Sequence, residues 1–264
     1  MERLVGSVGV RRFVALVAVL QLVTGVVAAF TVAPPELVAP ILVIPPPPPA
    51  PVVAPVPAPV PVPVPGETDA ALAAGPEVSL FDAAGAPNPF KALKNPTFEG
   101  VPLVLHVIED QGPWLHVQVN TRPNGSTAWI RRSDVLVTRV PNRIVIDLAA
   151  RRLTVLHGND VLVDHPVAIG APSGPTPVGE FYVDATVHLA NADGPYGVGQ
   201  LSVSGFSEVY KSFGGGIGQI AIHGTNNPRA IGGTVSHGCV RMLNNAWNEV
   251  ASLAPNGTPV SIRA

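Results

Sequence analysis

The chain of 264 residues holds one cysteine, and it stands in Ser236-His237-Gly238-Cys239-Val240-Arg241-Met242. A second histidine, His223, lies upstream in Ile222-His223-Gly224-Thr225. A free thiol has a pKa of about 8.5 and is mostly protonated at neutral pH. A neighbouring imidazole can take that proton and give a thiolate–imidazolium pair. The residue types therefore point to nucleophilic chemistry at a carbonyl. Gly238 lets the backbone approach a substrate closely. The N–H groups of Gly238 and Cys239 can then donate to a tetrahedral oxyanion, and Ser236 or Thr225 can orient an imidazole.

Each of these residues also has a plainer reading. A lone buried cysteine is usually a small core hydrophobe, and a lone histidine is usually structural. By ligand type, His223, His237 and Cys239 also suit a catalytic zinc, which three protein ligands can hold. Against that, no Asp or Glu lies between Lys211 and Glu249 to act as the usual general base. A single cysteine excludes an internal disulfide framework and any all-cysteine metal site.

The combination is more specific than its parts. His223-Gly224-Thr225 followed by the Ser-His-Gly-Cys core resembles the active-site signature of the L,D-transpeptidases, the YkuD-like catalytic domain. The resemblance extends over about residues 143–262. It includes Ile169-Gly170, Pro175-Thr176-Pro177-Val178-Gly179 and Asn256-Gly257-Thr258-Pro259-Val260-Ser261-Ile262. It implies that Cys239 is the nucleophile and His223 the general base. Ser236, His237 and Gly238 match pocket residues around the thiol, and Arg241, where many members carry Asn and many others Arg, matches a substrate contact. The implied fold is a β-sandwich with the Cys and His under a lid.

The implied reaction is peptidoglycan cross-linking. The thiolate attacks the carbonyl of the diamino acid at the third position of a tetrapeptide stem, D-alanine leaves, and a thioester remains. An amine of a second stem then gives a 3→3 cross-link. Water as acceptor would give an L,D-carboxypeptidase. A wall-cleaving thiol endopeptidase, attachment of another protein to the wall, and a non-catalytic wall-binding protein are the other readings. The implied partners are peptidoglycan stem peptides, with carbapenems as inhibitors, because the strained lactam carbonyl mimics the scissile one. No cofactor, metal or nucleotide is required, since the energy comes from the peptide bond exchanged. The expected setting is cell-wall biogenesis and cell shape.

The elements that must position these residues read as mostly β. Residues 143–149 and 152–157 alternate as strands, Gly158-Asn159-Asp160 is a turn, and residues 161–169 complete a β-meander. The Pro175–Gly179 stretch is a rigid bend before a strand at residues 180–183. Residues 184–218, rich in Gly, Ser and Asn with Tyr196, Phe206 and Tyr210, read as one long irregular lid. Trp247, Val250 and Leu253 recur at spacing three and predict one short helix, with Asn244 or Asn245 as its cap. The catalytic domain is expected over residues 141–264.

Upstream, residues 78–140 read as a small all-β module. Leu115, Val117 and Val119 alternate with His116 and Gln118, and Arg122-Pro123-Asn124-Gly125-Ser126 is a turn. The stretch resembles the bacterial SH3-like domains of cell-wall enzymes, a small β-barrel, through residues 114–117, Asn124-Gly125 and Ala128-Trp129-Ile130, although Gly is commoner than Ala128 in that family. It reads either as a wall-binding or substrate-guiding module or as a spacer that packs on its neighbour. His106 and His116 are expected on strand faces without a chemical role.

The N-terminal quarter explains the composition. Only 13% of the chain is charged against a usual figure of about 25%. Fifteen of the 31 prolines fall in residues 34–65, which should form an extended polyproline rod. Residues 34–77 are expected to be linker, with 66–77 a flexible Ala/Gly-rich joint. Arg3, Arg11 and Arg12 precede an uncharged run over residues 13–35, so residues 1–33 read as a signal peptide or membrane anchor. The protein is expected to be exported to the cell wall or periplasmic space. A net charge of −2 gives no support to nucleic-acid binding.

Overall fold

A computed structural model describes residues 67–213 and 216–264. The expected signal or anchor, the proline tract up to residue 66, and Gly214 and Gly215 lie outside the described residues. Among the described residues, no helix is long and apolar enough to cross a membrane.

The first part is built from β1 (Thr68–Ala73), β2 (Glu77–Leu80), β3 (Lys91–Lys94), β4 (Val104–Asp110), β5 (Trp114–Gln118), β6 (Thr127–Arg131) and β7 (Val135–Val140). Five of these form an antiparallel sheet in the order β6-β5-β4-β1-β7, and β2 pairs with β3. The expected alternation holds in β5, where Leu115 and Val117 are fully buried and His116 is not.

The stretch read as a flexible joint is corrected: β1 is a strand of this sheet, hydrogen-bonded to β4 on one side and β7 on the other. Its sequence, Thr-Asp-Ala-Ala-Leu-Ala, hides this. Ala71 and Ala73 enter the core of the sheet, while Ala70 packs on the other face with Val104 and Val140. With both faces buried by methyl groups, neither β-branching nor alternation marks the strand. Ala70 in turn requires glycine at 257, where an added side chain would overlap the Ala70 methyl and φ is +95°.

The second part comprises β8 (Asn142–Asp147), β9 (Arg152–His157), β10 (Asp160–Pro166), β11 (Ile169–Gly170), β12 (Gly179–His188), β13 (Gly199–Phe206), β14 (Gln219–His223), β15 (Thr234–Ser236), β16 (Val240–Arg241), the helix α1 (Asn244–Leu253) and β17 (Pro259–Arg263). Eight strands form one sheet in the order β10-β9-β8-β17-β12-β13-β14-β16, with β8–β17 and β14–β16 parallel. The β8-β9-β10 meander is antiparallel in the register its alternation demands. Its inward residues Ile144, Ile146, Leu153 and Val155 are fully buried, with Trp247 and Val250 of α1 in the same core. The fold is thus mostly β with one α-helix among the described residues, as expected.

The single long lid over residues 184–218 is corrected to two shorter irregular stretches around strands. β12 runs on to His188, and β13 pairs with both β12 and β14. β13 reads as loop because Gly199, Ser202, Ser204 and Gly205 replace the usual β-formers. Gly199 is required by close approach: a side chain there would overlap the Trp247 ring. Along β12, Phe181 and Val183 enter the second core while Tyr182 between them enters the first.

Candidate active site

His223 closes β14 and is fixed from three directions. The Met242 N–H donates to the His223 carbonyl at 2.9 Å. The buried Trp247 indole donates to the Ile222 carbonyl one residue earlier at 3.1 Å. The parallel pairing of β14 with β16 sets His223 opposite Arg241. Its ring Nδ1 lies 2.6 Å from the Gly224 carbonyl oxygen. A carbonyl can only accept, so Nδ1 carries the proton and Nε2 keeps the lone pair a base needs. This backbone carbonyl, and not Ser236 or Thr225, orients the imidazole. The Thr225 hydroxyl instead accepts from the Asn227 N–H at 3.1 Å.

Cys239 lies in the tight turn between β15 and β16. Ser236 shapes that turn: its hydroxyl donates to the Cys239 carbonyl at 2.5 Å and accepts from the Gly238 N–H at 3.1 Å. The Gly238 N–H is therefore engaged inside the turn, and the expectation that it donates to an oxyanion does not hold in this arrangement. Gly238 has φ +127°, which side chains rarely adopt. Thr176, in the middle of the Pro-Thr-Pro bend, accepts from the Gly170 N–H at 2.9 Å and donates to the Gly238 carbonyl at 2.9 Å. The bend thus anchors the residue before the thiol.

Burial shifts both groups toward their neutral forms. It pushes the His223 pKa down to about 4, with the Gly224 carbonyl opposing and the Arg241 charge adding to the fall. It pushes the Cys239 thiol up, opposed by a backbone hydrogen bond from Ala221 and by Arg241. Desolvation is the largest cause in each case and disfavours the charged form. Burial thus favours the neutral form of each group over the thiolate–imidazolium pair expected from residue types.

Both groups line one cavity of about 220 Å³, together with Tyr196, Ser236, His237 and Arg241. The Tyr196 ring lies 4.6 Å from the His223 ring. His237 is exposed and stacks on Phe213 at 4.5 Å, with Tyr210 edge-on at 5.2 Å. It thus meets the aromatic residues of the segment over the cavity. The Arg241 Nε is buried without a hydrogen-bond partner. Among the described residues no three His, Cys, Asp or Glu side chains gather as a metal site.

That covering segment is a hairpin. Ser207 N–H donates to the Gly218 carbonyl at 2.8 Å, and Phe213 and Gly216 exchange bonds near the tip. Arg122 of the first β-unit holds it. The guanidinium donates to the carbonyls of Ser207 at 2.9 Å, Ile217 at 3.1 Å and Tyr210 at 3.3 Å, so it grips both arms. It also lies over the Phe206 ring. Asn124 adds bonds to the N–H and carbonyl of Phe206, each at 2.8 Å.

Four positions outside the sequence reading's site therefore shape this one: Arg122, Thr176, Tyr196 and Asn244. The Asn244 side chain does not cap its own helix, which starts without a side-chain cap. Its oxygen instead accepts from the Thr225 N–H at 3.0 Å and the Val198 N–H at 3.3 Å, tying the Tyr196 loop to the segment after His223. Thr176, flanked by prolines in the Pro175–Gly179 bend, and Tyr196, an aromatic of the expected lid, carried a signal in the sequence. The partners of Arg122 and Asn244 are distant in the chain. His106 and His116 stand on strands β4 and β5 and stack on Tyr182 and Trp129.

Residues 141–262 match the family model of the L,D-transpeptidase catalytic domain, YkuD. YkuD of Bacillus subtilis (strain 168) is 41% identical over 123 residues, and YkuD of Bacillus licheniformis is 40% identical over the same length; both carry the name L,D-transpeptidase. Each match takes in 47% of this chain and 66% of the relative, so the chain spans just under two thirds of the length of these curated relatives. A solved L,D-transpeptidase from Mycobacterium smegmatis aligns at 18% identity and a TM-score of 0.38, over 61% of this chain and 82% of that one. The segment that holds His223 and Cys239 is thus the part of the chain that is similar to the L,D-transpeptidase catalytic domain, YkuD.

Proposed function

We propose that the protein is a peptidoglycan L,D-transpeptidase that forms 3→3 cross-links through a thioester on Cys239. The observation that carries this is the placement of the Cys239 thiol and a tautomer-fixed His223 in one cavity. The thiol proton passes to His223 Nε2 as sulfur attacks the carbonyl of the diamino acid. The bond to D-alanine breaks, and the imidazolium returns the proton to the departing amine. Burial favours the neutral form of both groups, which suits proton transfer in step with attack. Arg241 suits the terminal carboxylate of the donor stem, and the Cys239 N–H remains to donate to the oxyanion. With water as acceptor the same site acts as an L,D-carboxypeptidase.

The remaining parts fit a wall enzyme. Residues 1–33 would export or anchor it, and the proline tract would lift the folded part away from a membrane. The first β-unit would serve as the SH3-like module, holding the hairpin over the site through Arg122. Intact-mass analysis with a tetrapeptide stem and with a carbapenem tests the reading. The wild-type mass should rise by the acyl group or by the drug, and Cys239→Ala should gain nothing. A wild-type protein left unmodified by both, or an alanine variant that still cross-links muropeptides, ends it.

A further inference from the structure

Two cavities meet at Cys239, and they differ in charge. The one already described contains the Arg241 guanidinium and no carboxylate. A second, of about 150 Å³, also reaches Cys239 but leads away past Gln200 and Ala221 to Phe98 and Glu99, residues of the first β-unit. Glu99 is the only charged residue on its wall. Tyr196 and Phe213 line both cavities and so stand between them. Phe98, Glu99, Ile217 and Gln219 also line a third chamber of about 200 Å³, which extends the path. That chamber reaches Tyr182, whose fully buried hydroxyl has no hydrogen-bond partner. Lys94 on its wall is paired with Glu77 at 2.7 Å. No ion pair engages Glu99 among the described residues.

We infer that the cavity bounded by Phe98 and Glu99 receives the acyl acceptor, a peptide bearing a primary amine, and that Glu99 draws in its cationic nitrogen. This rests on the transpeptidase reading. Cross-linking brings two substrates to one sulfur. The donor presents a terminal carboxylate and suits the cationic cavity, and the acceptor presents an ammonium group and suits the anionic one. A carboxylate at a cavity mouth raises the local concentration of a cation by its field.

The ammonium releases one proton to water before it attacks. The neutral nitrogen then adds to the thioester carbonyl, the new C–N bond forms, and the C–S bond breaks. The proton shed by nitrogen passes through His223 to sulfur and regenerates the thiol. Glu99 takes no part in these bond changes and acts on binding alone. The acceptor preference of the enzyme would thus be set by a residue outside the catalytic domain.

The test separates the two half-reactions in the full chain. The first stage follows acylation of Cys239 by a donor tetrapeptide stem, by mass. The second adds a stem with a free side-chain amine, or the same stem N-acetylated, and follows loss of the thioester. Glu99→Gln should leave acylation unchanged and raise the half-saturating amine concentration roughly three- to five-fold, the scale of one partly exposed ion pair. Glu99→Lys should raise it further, and added salt should shrink both differences. Identical amine dependence in wild type and both variants, with acylation intact, overturns the assignment of the acceptor site. Failure of wild-type acylation appears in the first stage and brings down the transpeptidase reading itself.

Discussion

Strand β14 begins and ends beside a buried titratable group, and the two groups are kept in different company. At its start, Gln219 donates to both oxygens of Asp184, at 2.9 and 3.1 Å, and Asn120 donates to the same carboxyl. At its end, the His223 ring has a backbone carbonyl on one nitrogen and the Tyr196 ring against it. Burial dominates both. It raises Asp184 to about 7 and lowers His223 to about 4. The difference is that Asp184 is tied by side chains from two other strands or loops, whereas His223 is tied through one nitrogen and keeps the other for a reacting partner. Burial with full side-chain satisfaction marks a joint between parts of the molecule. Burial with one atom held back marks a group available for chemistry.

Replacing each member should bring out that contrast, and His223→Gln should have the largest effect. Acylation by a carbapenem or a stem peptide should slow roughly 10²- to 10⁴-fold, the usual contribution of a positioned acid–base group, while the melting temperature changes little. Stopped-flow or mass-based rates would measure it, and a wild-type rate would place the base elsewhere. Arg122→Ala should act less strongly. Loss of a three-carbonyl grip on the hairpin should slow acylation about ten-fold or less, since positioning errors cost less than losing the base. Hydrogen exchange should rise in residues 207–218 and not around Cys239, and unchanged exchange there would show that the hairpin holds itself.

The smallest effect is in the pH dependence of stability, where the two groups have opposite signs. His223 takes a proton near pH 6.5 when unfolded and near 4 when folded, so its contribution is present above 6.5 and is lost as pH falls toward 4. Asp184 loses its proton near 3.8 when unfolded and near 7 when folded. Its contribution is present below 3.8 and is lost as pH rises toward 7. Between about 4 and 6.5 the two oppose each other, each by at most about 1.4 kcal/mol per pH unit. Asp184→Asn should therefore make the melting temperature rise more steeply with pH in that window than it does in wild type, and His223→Gln should make it rise less steeply. Parallel curves for all three proteins would show that neither group titrates differently in the folded state.

The part of this site that was legible in the sequence is the part made by neighbours in the chain. Ser236, Gly238 and Cys239 build one turn, and their spacing announces it. The β8–β9 alternation and the Trp247–Val250 spacing were equally readable, because each buries a single face. What escaped is whatever is buried on two faces or satisfied from afar. β1 is buried on both sides by alanines, and β13 carries Gly199 because Trp247 needs the room and Gly205 because Phe181 does. Asn244 looked like a cap because Asn caps helices by default, yet its oxygen serves two backbone donors many residues away. Arg122 was read only as part of a turn, since nothing near it in sequence reveals the hairpin carbonyls 85 or more positions on.

β12 has a further consequence, which concerns how the molecule comes apart. Phe181 and Val183 belong to one core and Tyr182 to the other, so a single stretch of backbone is the common wall of two apolar interiors. Neither interior can open without withdrawing a residue from its neighbour, and Gly257 pressed against Ala70 closes the same seam from another strand. The two sheets should therefore melt together in a single transition, which a calorimetric scan would show. A protease or a truncation that separates them near residue 141 would strand Tyr182 and the alanine face of β1 in water. Residues 141–262, although matched as one unit by the family model, share their core wall with the first sheet and should not stand alone.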